Sequence, residues 1–274
     1  MQELTLAEKQ ALALQIACEI DRVCRKHNLT YFIGYGSLIG AIRHHGFIPW
    51  DDDIDLWVPV TEFEAFLEAM KAETDYLILD HLHDPEWPRC FTKISDRNTE
   101  IKIDAEEMQT GKAFGVSVDI FPLFPIDSAR AKVPKILQAK KMLTIQSLYR
   151  LGIYRKKGIS GMLKGLRSAL LLLAGRNEAY YKKQLRQLES DASGSDALGC
   201  VISVYKDRDI HPKDAFASAV DVEFEGKTFS APCGYDRVLR QLYGDYMKLP
   251  PVEQRVSHGG EHAYPIRNKE GGTH

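Results

Sequence analysis

The sequence predicts an α/β (α+β) protein with a small mixed β-sheet, flanking helices and a basic helical insertion. Short strand-like runs alternate with amphipathic helical segments at both ends of the chain. Between them lies a segment with helical apolar spacing that carries most of the positive charge. We therefore predict a core in residues 1–128, a basic helical insertion in 129–190, and a C-terminal part in 191–274 that completes the core domain.

The N-terminal elements are marked by capping and turn residues. Thr5 begins a Thr-Leu-Ala-Glu capping box, so a first helix is predicted from there to about Lys26. A strand at 31–33 is predicted to enter a loop at 34–37, and a short helix at 38–44 follows.

The remaining elements follow the same reasoning from spacing. A strand at 53–58 precedes Pro59 and an amphipathic helix that contains Phe63, Phe66, Leu67 and Met70. Shorter strands are predicted at 76–80, 91–95, 99–103, 115–121 and 200–205. A hairpin is predicted at 222–224 and 227–229, and a helix at 235–243.

Composition narrows the class of protein. The chain has 274 residues and is 44% hydrophobic, which is enough to bury one large core or two modest ones. Its five cysteines have no CxxC spacing, so we expect a reduced, cytoplasmic protein with neither disulfide framework nor zinc knuckle. The polar, acidic start does not resemble a signal peptide, and the longest apolar run, 169–174, is far shorter than the roughly 20 residues of a membrane span.

Charge is distributed unevenly along the chain. Residues 130–187 contain 15 Lys and Arg against one acid, a local charge of +14. The net charge of −2 for the whole chain leaves −16 for the remainder. Such a block is either a solvated helical face or a surface for an anionic partner.

The stretch GYGSLIGAIRHHGFIPWDDDIDLWVP, residues 34–59, contains the most informative pattern. Asp53 and Asp55 occupy alternate positions of an otherwise apolar strand, so their side chains point to one side. Two unpaired carboxylates would repel each other and resist burial. A cation is therefore expected between them.

Two familiar sites fit this stretch poorly. A dinucleotide-binding turn would need different glycine spacing, and only 12 residues separate Gly40 from Asp53, too few for a crossover helix. A calcium-binding EF-hand loop beginning at Asp51 would need Gly where Leu56 stands.

A metal-dependent phosphoryl- or nucleotidyl-transfer site fits better. Gly36 and Ser37 follow a strand and open a helix, where backbone N–H groups and a hydroxyl bind phosphate. Asp53 and Asp55 then hold Mg²⁺ or Mn²⁺. The best candidate for a third ligand is Asp119, another acid within an apolar strand.

These residues resemble the LicD family of phosphotransferases, which has the nucleotidyltransferase fold and is related to the fukutin group. The resemblance rests on GxxxxxIRHxGFIPWDDDID (36–55), KISDRNT (93–99), VDIFP (118–122) and YGDYMKLPP (243–251). It is weakest across the basic block. Members often carry paired histidines after Leu-Pro-Pro, where this chain has His258 and His262 apart.

The resemblance implies transfer of phosphocholine from CDP-choline to a hydroxyl of a cell-surface glycopolymer, such as teichoic acid or lipopolysaccharide, or of its lipid-linked precursor, with release of CMP. It implies Gly36 and Ser37 as the phosphate-binding turn and Asp53, Asp55 and Asp119 as ligands of Mg²⁺ or Mn²⁺. We expect Asp119 to help deprotonate the acceptor.

Arg43 and Lys93 are further candidates for phosphate contacts, Arg43 because it lies within the helix opened by Ser37 and Lys93 because it lies in an alternating strand. The metal triad does not separate this reaction from transfer of NMP from an NTP to a small molecule. A non-enzymatic nucleic-acid-binding protein using the basic block is a further alternative, although no nucleic acid is the expected partner. The block is instead expected to dock on an anionic membrane, placing the protein peripherally on the inner membrane face.

Overall fold

The computed structural model describes residues 2–80, 83, 84, 87, 89–104, 112–126, 195–256 and 260–266, with isolated positions 163, 166, 169, 170 and 183. The predicted basic insertion, apart from those five positions, therefore lies outside the described residues.

The helices follow the predicted capping and apolar spacing. Helix α1 spans Leu6–His27, and Thr5 forms the predicted capping box with Glu8. Helix α2 spans Tyr35–Ile39 and continues as a π-helical turn at Gly40–His44. Helix α3 spans Phe63–Glu73 after a 3₁₀ turn at Val60–Glu62, and α4 spans Tyr235–Tyr243.

The described residues contain eleven β-strands. They are β1 (Phe32–Ile33), β2 (Ile54–Pro59), β3 (Leu77–Leu79), β4 (Thr92–Ser95), β5 (Thr99–Ile103), β6 (Ser117–Ile126), β7 (Ala197–Gly199), β8 (Ile210–Pro212), β9 (Ala219–Phe224), β10 (Lys227–Pro232) and β11 (Glu261–Pro265).

Within the described residues a mixed sheet of seven strands organises the molecule, which confirms the predicted fold class. Its order is β1-β2-β6-β4-β3, with β7 and β8 added beside the far end of β6. Strand β6 is central: it runs parallel to β2, and antiparallel to β4 and β7. The C-terminal part of the chain thus contributes strands to the same sheet as the N-terminal part.

The sheet has an apolar face and a face that carries polar groups next to strand β2. Ile54, Leu56 and Val58 are at most 1% exposed and alternate with Asp55 and Trp57. Helix α1 packs against β2, β6 and α3 and buries its own apolar stripe there. The alternation of the sequence therefore leads directly to a sheet with carboxylates on one side.

Two predicted elements differ from the structure. The predicted strand at 200–205 is wrong: these residues form turns, and the strand lies just before them in β7. The predicted loop at 34–37 belongs mostly to helix α2, which begins at Tyr35 because Gly34, in an extended conformation, stands at its N-cap. The hairpin at β9 and β10 is confirmed, with Glu225 and Gly226 both at positive φ in its turn.

Candidate active site

The paired aspartates meet a third carboxylate through the register of two parallel strands. Asp55 of β2 lies directly beside Asp119 of β6. Registered neighbours on adjacent strands point to the same face and lie about 5 Å apart. Asp53 precedes β2 by one residue, and it lines the same cavity as Asp119. The structure thus places Asp55 beside Asp119 and Asp53 in the cavity that Asp119 lines, whereas Asp55 itself is not among the lining residues.

The electrostatics of this group are unfavourable without a cation. Burial raises the pKa of Asp55 well above its usual range, and the charges of Asp53, Asp119 and Asp51 raise it further, while Lys93 opposes them. Asp119 itself is only 9% exposed. Ionising the whole cluster therefore requires a compensating positive charge.

Lys93 supplies part of that charge. It lies in β4, in register with Asp119, and its Nζ is 2.5 Å from Asp119 Oδ1. The same ammonium donates to Ser117 Oγ at 3.2 Å and lies 5.7 Å from the centre of the Phe91 ring. At 6% exposure, Lys93 is a buried partner of Asp119, and a phosphate contact would have to share it.

The proposed phosphate turn is joined to the aspartate strand. Ser37, only 4% exposed, accepts a hydrogen bond from the backbone N–H of Asp55 at 2.9 Å. Its hydroxyl can accept this bond and still donate its own proton to a phosphate oxygen. A Cβ added at Gly36 would lie 2.8 Å from Asp51 Oδ2, so the glycine permits a close approach of backbone to carboxylate.

We expect Gly36→Val to be more damaging than Ser37→Ala. The valine would displace Asp51 and open the turn, raising the donor KM about a hundredfold, whereas Ser37→Ala leaves the backbone N–H groups and should raise it about tenfold or less. Steady-state kinetics of both variants, with Tm as the measure of folding, test this. Equal and negligible effects at both positions would remove the phosphate-turn assignment.

Arg43 is not among the residues that line the cavity. Its guanidinium donates to the backbone carbonyl oxygens of Tyr246, at 2.5 Å, and Lys248, at 3.5 Å. Burial lowers the pKa of Arg43, and the nearby charge of Arg255 lowers it further. In the structure Arg43 therefore anchors the segment after α4 to the helix that carries the turn.

The carboxylates of Asp53, Asp55 and Asp119 have the chemistry that a divalent cation needs, but they do not form a ready-made binding site for it. Carboxylate oxygens are the ligands that Mg²⁺ and Mn²⁺ prefer. Among the residues that the structure describes, however, no three His, Cys, Asp or Glu side chains converge in a metal-binding arrangement. The Lys93–Asp119 pair is one reason, since the ammonium occupies an oxygen that a metal would use.

Other acids near the sheet are engaged elsewhere. Asp96 accepts hydrogen bonds from Asn98 and Thr99, and Asp104 lies 3.0 Å from His262 Nε2. Neither lines the cavity beside Asp119. Asp119 therefore remains the best third carboxylate on geometry.

The cavity beside these carboxylates has a volume of about 190 Å³. Besides Asp53, Lys93 and Asp119, four of its lining residues carry chemistry that the sequence reasoning missed: Lys9, Arg89, Phe91 and Glu261. Phe91 and Arg89 lie two and four residues before Lys93, so extending the alternation backwards would have found them. Lys9 and Glu261 come from α1 and β11, which no local signal in the sequence connects to the site.

Of His258 and His262, the structure describes only His262. His258 lies outside the described residues. His262, in β11, joins two other segments: its Nδ1 is 2.7 Å from Glu3 Oε1 and its Nε2 is 3.0 Å from Asp104 Oδ2. Both contacts lie at the surface and link separate segments of the chain, so we interpret His262 as a structural residue. It does not line the cavity.

His262 should make stability depend on pH. Hydrogen bonds to Glu3, then to Asp104, raise the pKa of His262 above its usual 6.5. Because the folded-state pKa is raised, the contacts of protonated His262 stabilise the folded protein fully below about pH 6.5. This stabilisation is lost as the pH rises through the folded-state pKa of His262. The Tm of His262→Gln should therefore fall below that of the wild type near pH 6, with the gap closing as the pH rises through the folded-state pKa. A gap that stays constant across this range would contradict the assignment.

The chain was compared with known proteins. Residues 28–147 match the family model described as LicD/FKTN/FKRP, nucleotidyltransferase domain. The lipopolysaccharide cholinephosphotransferase LicD of Haemophilus influenzae is 32% identical over 272 residues, covering 96% of this chain and 99% of that protein. Uncharacterised proteins of Rickettsia typhi and Rickettsia prowazekii match shorter parts, at 43% identity over 54 residues (19% of this chain and 18% of that protein) and 37% over 73 residues (26% and 27%).

Proposed function

Because the chain belongs to the LicD family and is a transferase of that type, we propose that it transfers phosphocholine from CDP-choline to a hydroxyl of lipopolysaccharide or its lipid-linked precursor. The observation that carries phosphoryl transfer is the register of Asp55 with Asp119 beside a cavity that also contains Asp53 and Lys93. The choice of phosphocholine is supported by the relative that matches along nearly its whole length.

The reaction breaks the phosphoanhydride bond of CDP-choline and forms a phosphodiester bond to the acceptor oxygen. The acceptor oxygen forms a bond to the choline-bearing phosphorus, the bond from that phosphorus to the CMP oxygen breaks, and CMP leaves. The acceptor hydroxyl loses its proton. A divalent cation held by Asp53, Asp55 and Asp119 would neutralise the bridging phosphates and lower the pKa of the attacking hydroxyl.

Four residues of this chain are proposed to bind and orient the substrates and to accept the proton of the acceptor hydroxyl. We assign to Asp119 the proton of the acceptor hydroxyl, and to Lys93 the task of orienting the Asp119 carboxylate through the hydrogen bond that its ammonium donates. Of the three described cations that line the cavity, Lys9, Arg89 and Lys93, we assign Arg89 and Lys93 to the phosphate oxygens of the donor. Phe91 also lines this cavity, and we assign it to the quaternary ammonium of the donor, a group that aromatic rings bind.

The proposal is tested with a panel of donors. The protein is incubated with Mg²⁺ and, separately, CDP-choline, CDP-ribitol, CDP-glycerol and NTPs, while CMP and pyrophosphate are measured. CMP release from CDP-choline that needs Mg²⁺ and increases with acceptor supports phosphocholine transfer. Release of pyrophosphate from an NTP, without CMP from any CDP-alcohol, would identify nucleotidyl transfer instead.

The acceptor side of the proposal involves the basic segment at 130–187. No described helix is long and apolar enough to cross a membrane. The segment carries a charge of +14, and Leu163, Leu166 and Leu170, at helical positions within it, are 60%, 58% and 58% exposed. Exposed leucines one and two turns apart, among cations, suit the surface of an anionic bilayer. We propose that this segment holds the enzyme where a lipid-linked acceptor is presented.

Charge reversal tests the membrane claim. Changing Arg155, Lys156, Lys157, Lys164 and Arg167 to Glu should abolish binding to anionic vesicles and reduce transfer to a lipid-linked acceptor, while donor hydrolysis persists. Each cation near the surface contributes up to about 1 kcal/mol, and salt should weaken wild-type binding steeply.

The matched control reverses five positive charges that lie outside the basic segment. Lys71, Lys206, Lys213, Lys227 and Lys248 are all exposed and lie outside the segment. Their reversal to Glu should leave vesicle binding nearly intact. If wild-type protein binds neutral and anionic vesicles alike, or neither, the membrane claim is withdrawn.

A further inference from the structure

A buried hydrogen-bonded chain joins the phosphate turn to the C-terminal part of the molecule. Tyr35, 5% exposed, donates its hydroxyl proton to Asp209 Oδ2 at 2.6 Å. Asp209 is fully buried, and its other oxygen lies 3.3 Å from Nε2 of His211, itself 1% exposed. A buried carboxylate is costly unless paired, so these three groups depend on each other.

The backbone of Tyr35 explains why such a tether is needed. Tyr35 is at φ +44°, a left-handed conformation that bulky residues rarely adopt. It immediately precedes Gly36 and Ser37, and Ser37 in turn bonds the backbone of Asp55. The conformation of this one residue therefore sets the direction in which the turn and the first N–H groups of α2 point.

The ring of Tyr35 is held as firmly as its hydroxyl. It makes edge-to-face contacts with Trp57 and Phe121, with ring centres 4.7 Å and 5.2 Å apart, and it stacks on Tyr205 at 5.7 Å. Burial, with the neighbouring Cys200 and Asp209, raises the pKa of Tyr35 well above its usual 10, so the hydroxyl remains a donor at neutral pH. Trp57 and Phe121 follow Asp55 and Asp119 on the same sheet face.

We propose that Tyr35, anchored by Asp209, is a positioning residue for the donor: it holds the Gly36–Ser37 turn in the conformation that binds the donor phosphates. Residues 206–211, distant in sequence from the turn, thereby act on its geometry. The proposal rests on the proposed function for the identity of the donor. It does not place Tyr35, Asp209 or His211 in contact with substrate.

The test compares two buried tyrosines. Tyr35→Phe removes only the tethering hydroxyl. Tyr31→Phe is the matched control, because Tyr31 is 2% exposed and its hydroxyl donates to Asp21 Oδ1 at 2.5 Å, in a contact between α1 and the residue preceding β1. Both variants should lose some thermal stability. Tyr35→Phe should raise the KM for CDP-choline about tenfold with kcat within about twofold, and Tyr31→Phe should leave both constants within about twofold.

Two further measurements separate positioning from simple structural damage. Asp209→Asn keeps an acceptor for the Tyr35 hydroxyl and should retain a nearly normal donor KM, whereas Asp209→Ala should resemble Tyr35→Phe. Hydrogen exchange without substrate should be faster at residues 36–38 in Tyr35→Phe than in Tyr31→Phe.

The outcomes are distinguishable. A donor KM for Tyr35→Phe within about twofold of wild type overturns the proposal, as does an equal rise in Tyr31→Phe. If wild-type protein releases no CMP from CDP-choline, the proposed function fails. Exchange at residues 36–38 then decides whether the tether holds the turn, and equal exchange in both variants overturns it.

Discussion

Asp55→Asn is expected to reduce turnover by about 10³-fold or more, a loss of at least ~4 kcal/mol of transition-state stabilisation, in a protein that remains folded. Asp53→Asn should behave similarly. Each change removes one negative charge from the group that is proposed to hold the divalent cation. CMP release from CDP-choline at saturating Mg²⁺ measures the effect. If either variant keeps near wild-type turnover, the metal assignment fails.

The stability of Asp55→Asn should move in the opposite direction from its activity. Burial and the charges of Asp53 and Asp119 raise the pKa of Asp55, so its ionised form costs free energy in the folded protein. Replacing that carboxylate with a neutral amide should leave Tm unchanged or higher in metal-free protein. Asp52→Asn is the control, since Asp52 belongs to the same run but pairs with Lys9. Its effect on turnover should be under about tenfold.

Asp119→Asn is expected to be as damaging to turnover as Asp55→Asn but to lower stability. The change removes the negative charge that pairs with Lys93, which is 6% exposed, and breaking a buried ion pair in this way costs about 3–5 kcal/mol. Thermal unfolding and CMP release should therefore separate the two variants by the sign of their Tm shift.

The control for Asp119→Asn also removes the ammonium group of Lys93. Adding Lys93→Met to Asp119→Asn should recover stability without recovering turnover. A loss of turnover under about tenfold in Asp119→Asn, near 1.4 kcal/mol, would mean that a different residue is the third carboxylate. Glu261, which lines the same cavity, would then be the next candidate, ahead of Asp96 and Asp104, which do not line it.

The carboxylate pair and its neighbours show what sequence can and cannot predict. Alternation along β2 and β6 was enough to nominate Asp55 and Asp119, because each is a polar interruption of an apolar strand. Their side-by-side placement depends on the pairing of β2 with β6, which is fixed by packing between distant segments. The ion pair of Lys93 with Asp119 depends on a second register, that of β4 with β6, and was not predicted.

The wrong predictions of a strand at 200–205 and of a loop at 34–37 also have physical explanations. Residues 200–205 contain the buried Val201 and Ile202, but their burial is in turns, so an apolar run alone predicted a strand wrongly. Tyr35 begins a helix from a left-handed conformation, which propensity does not favour and which a distant carboxylate, Asp209, holds. Helix α4, by contrast, lies at the predicted 235–243 and ends at Gly244, since its stop signal is local.

The fate of two labels tests the central claim most directly. CDP-choline is prepared with radioactive carbon in the choline methyl groups and radioactive phosphorus in the choline-bearing phosphate, and is incubated with Mg²⁺ and lipopolysaccharide acceptor. We expect both labels to reach the acceptor in equal amounts, with an equal amount of unlabelled CMP released, and we expect Asp55→Asn to transfer neither. Transfer of the nucleotide to the acceptor, or release of both labels as free phosphocholine with the acceptor unlabelled, would contradict the central claim.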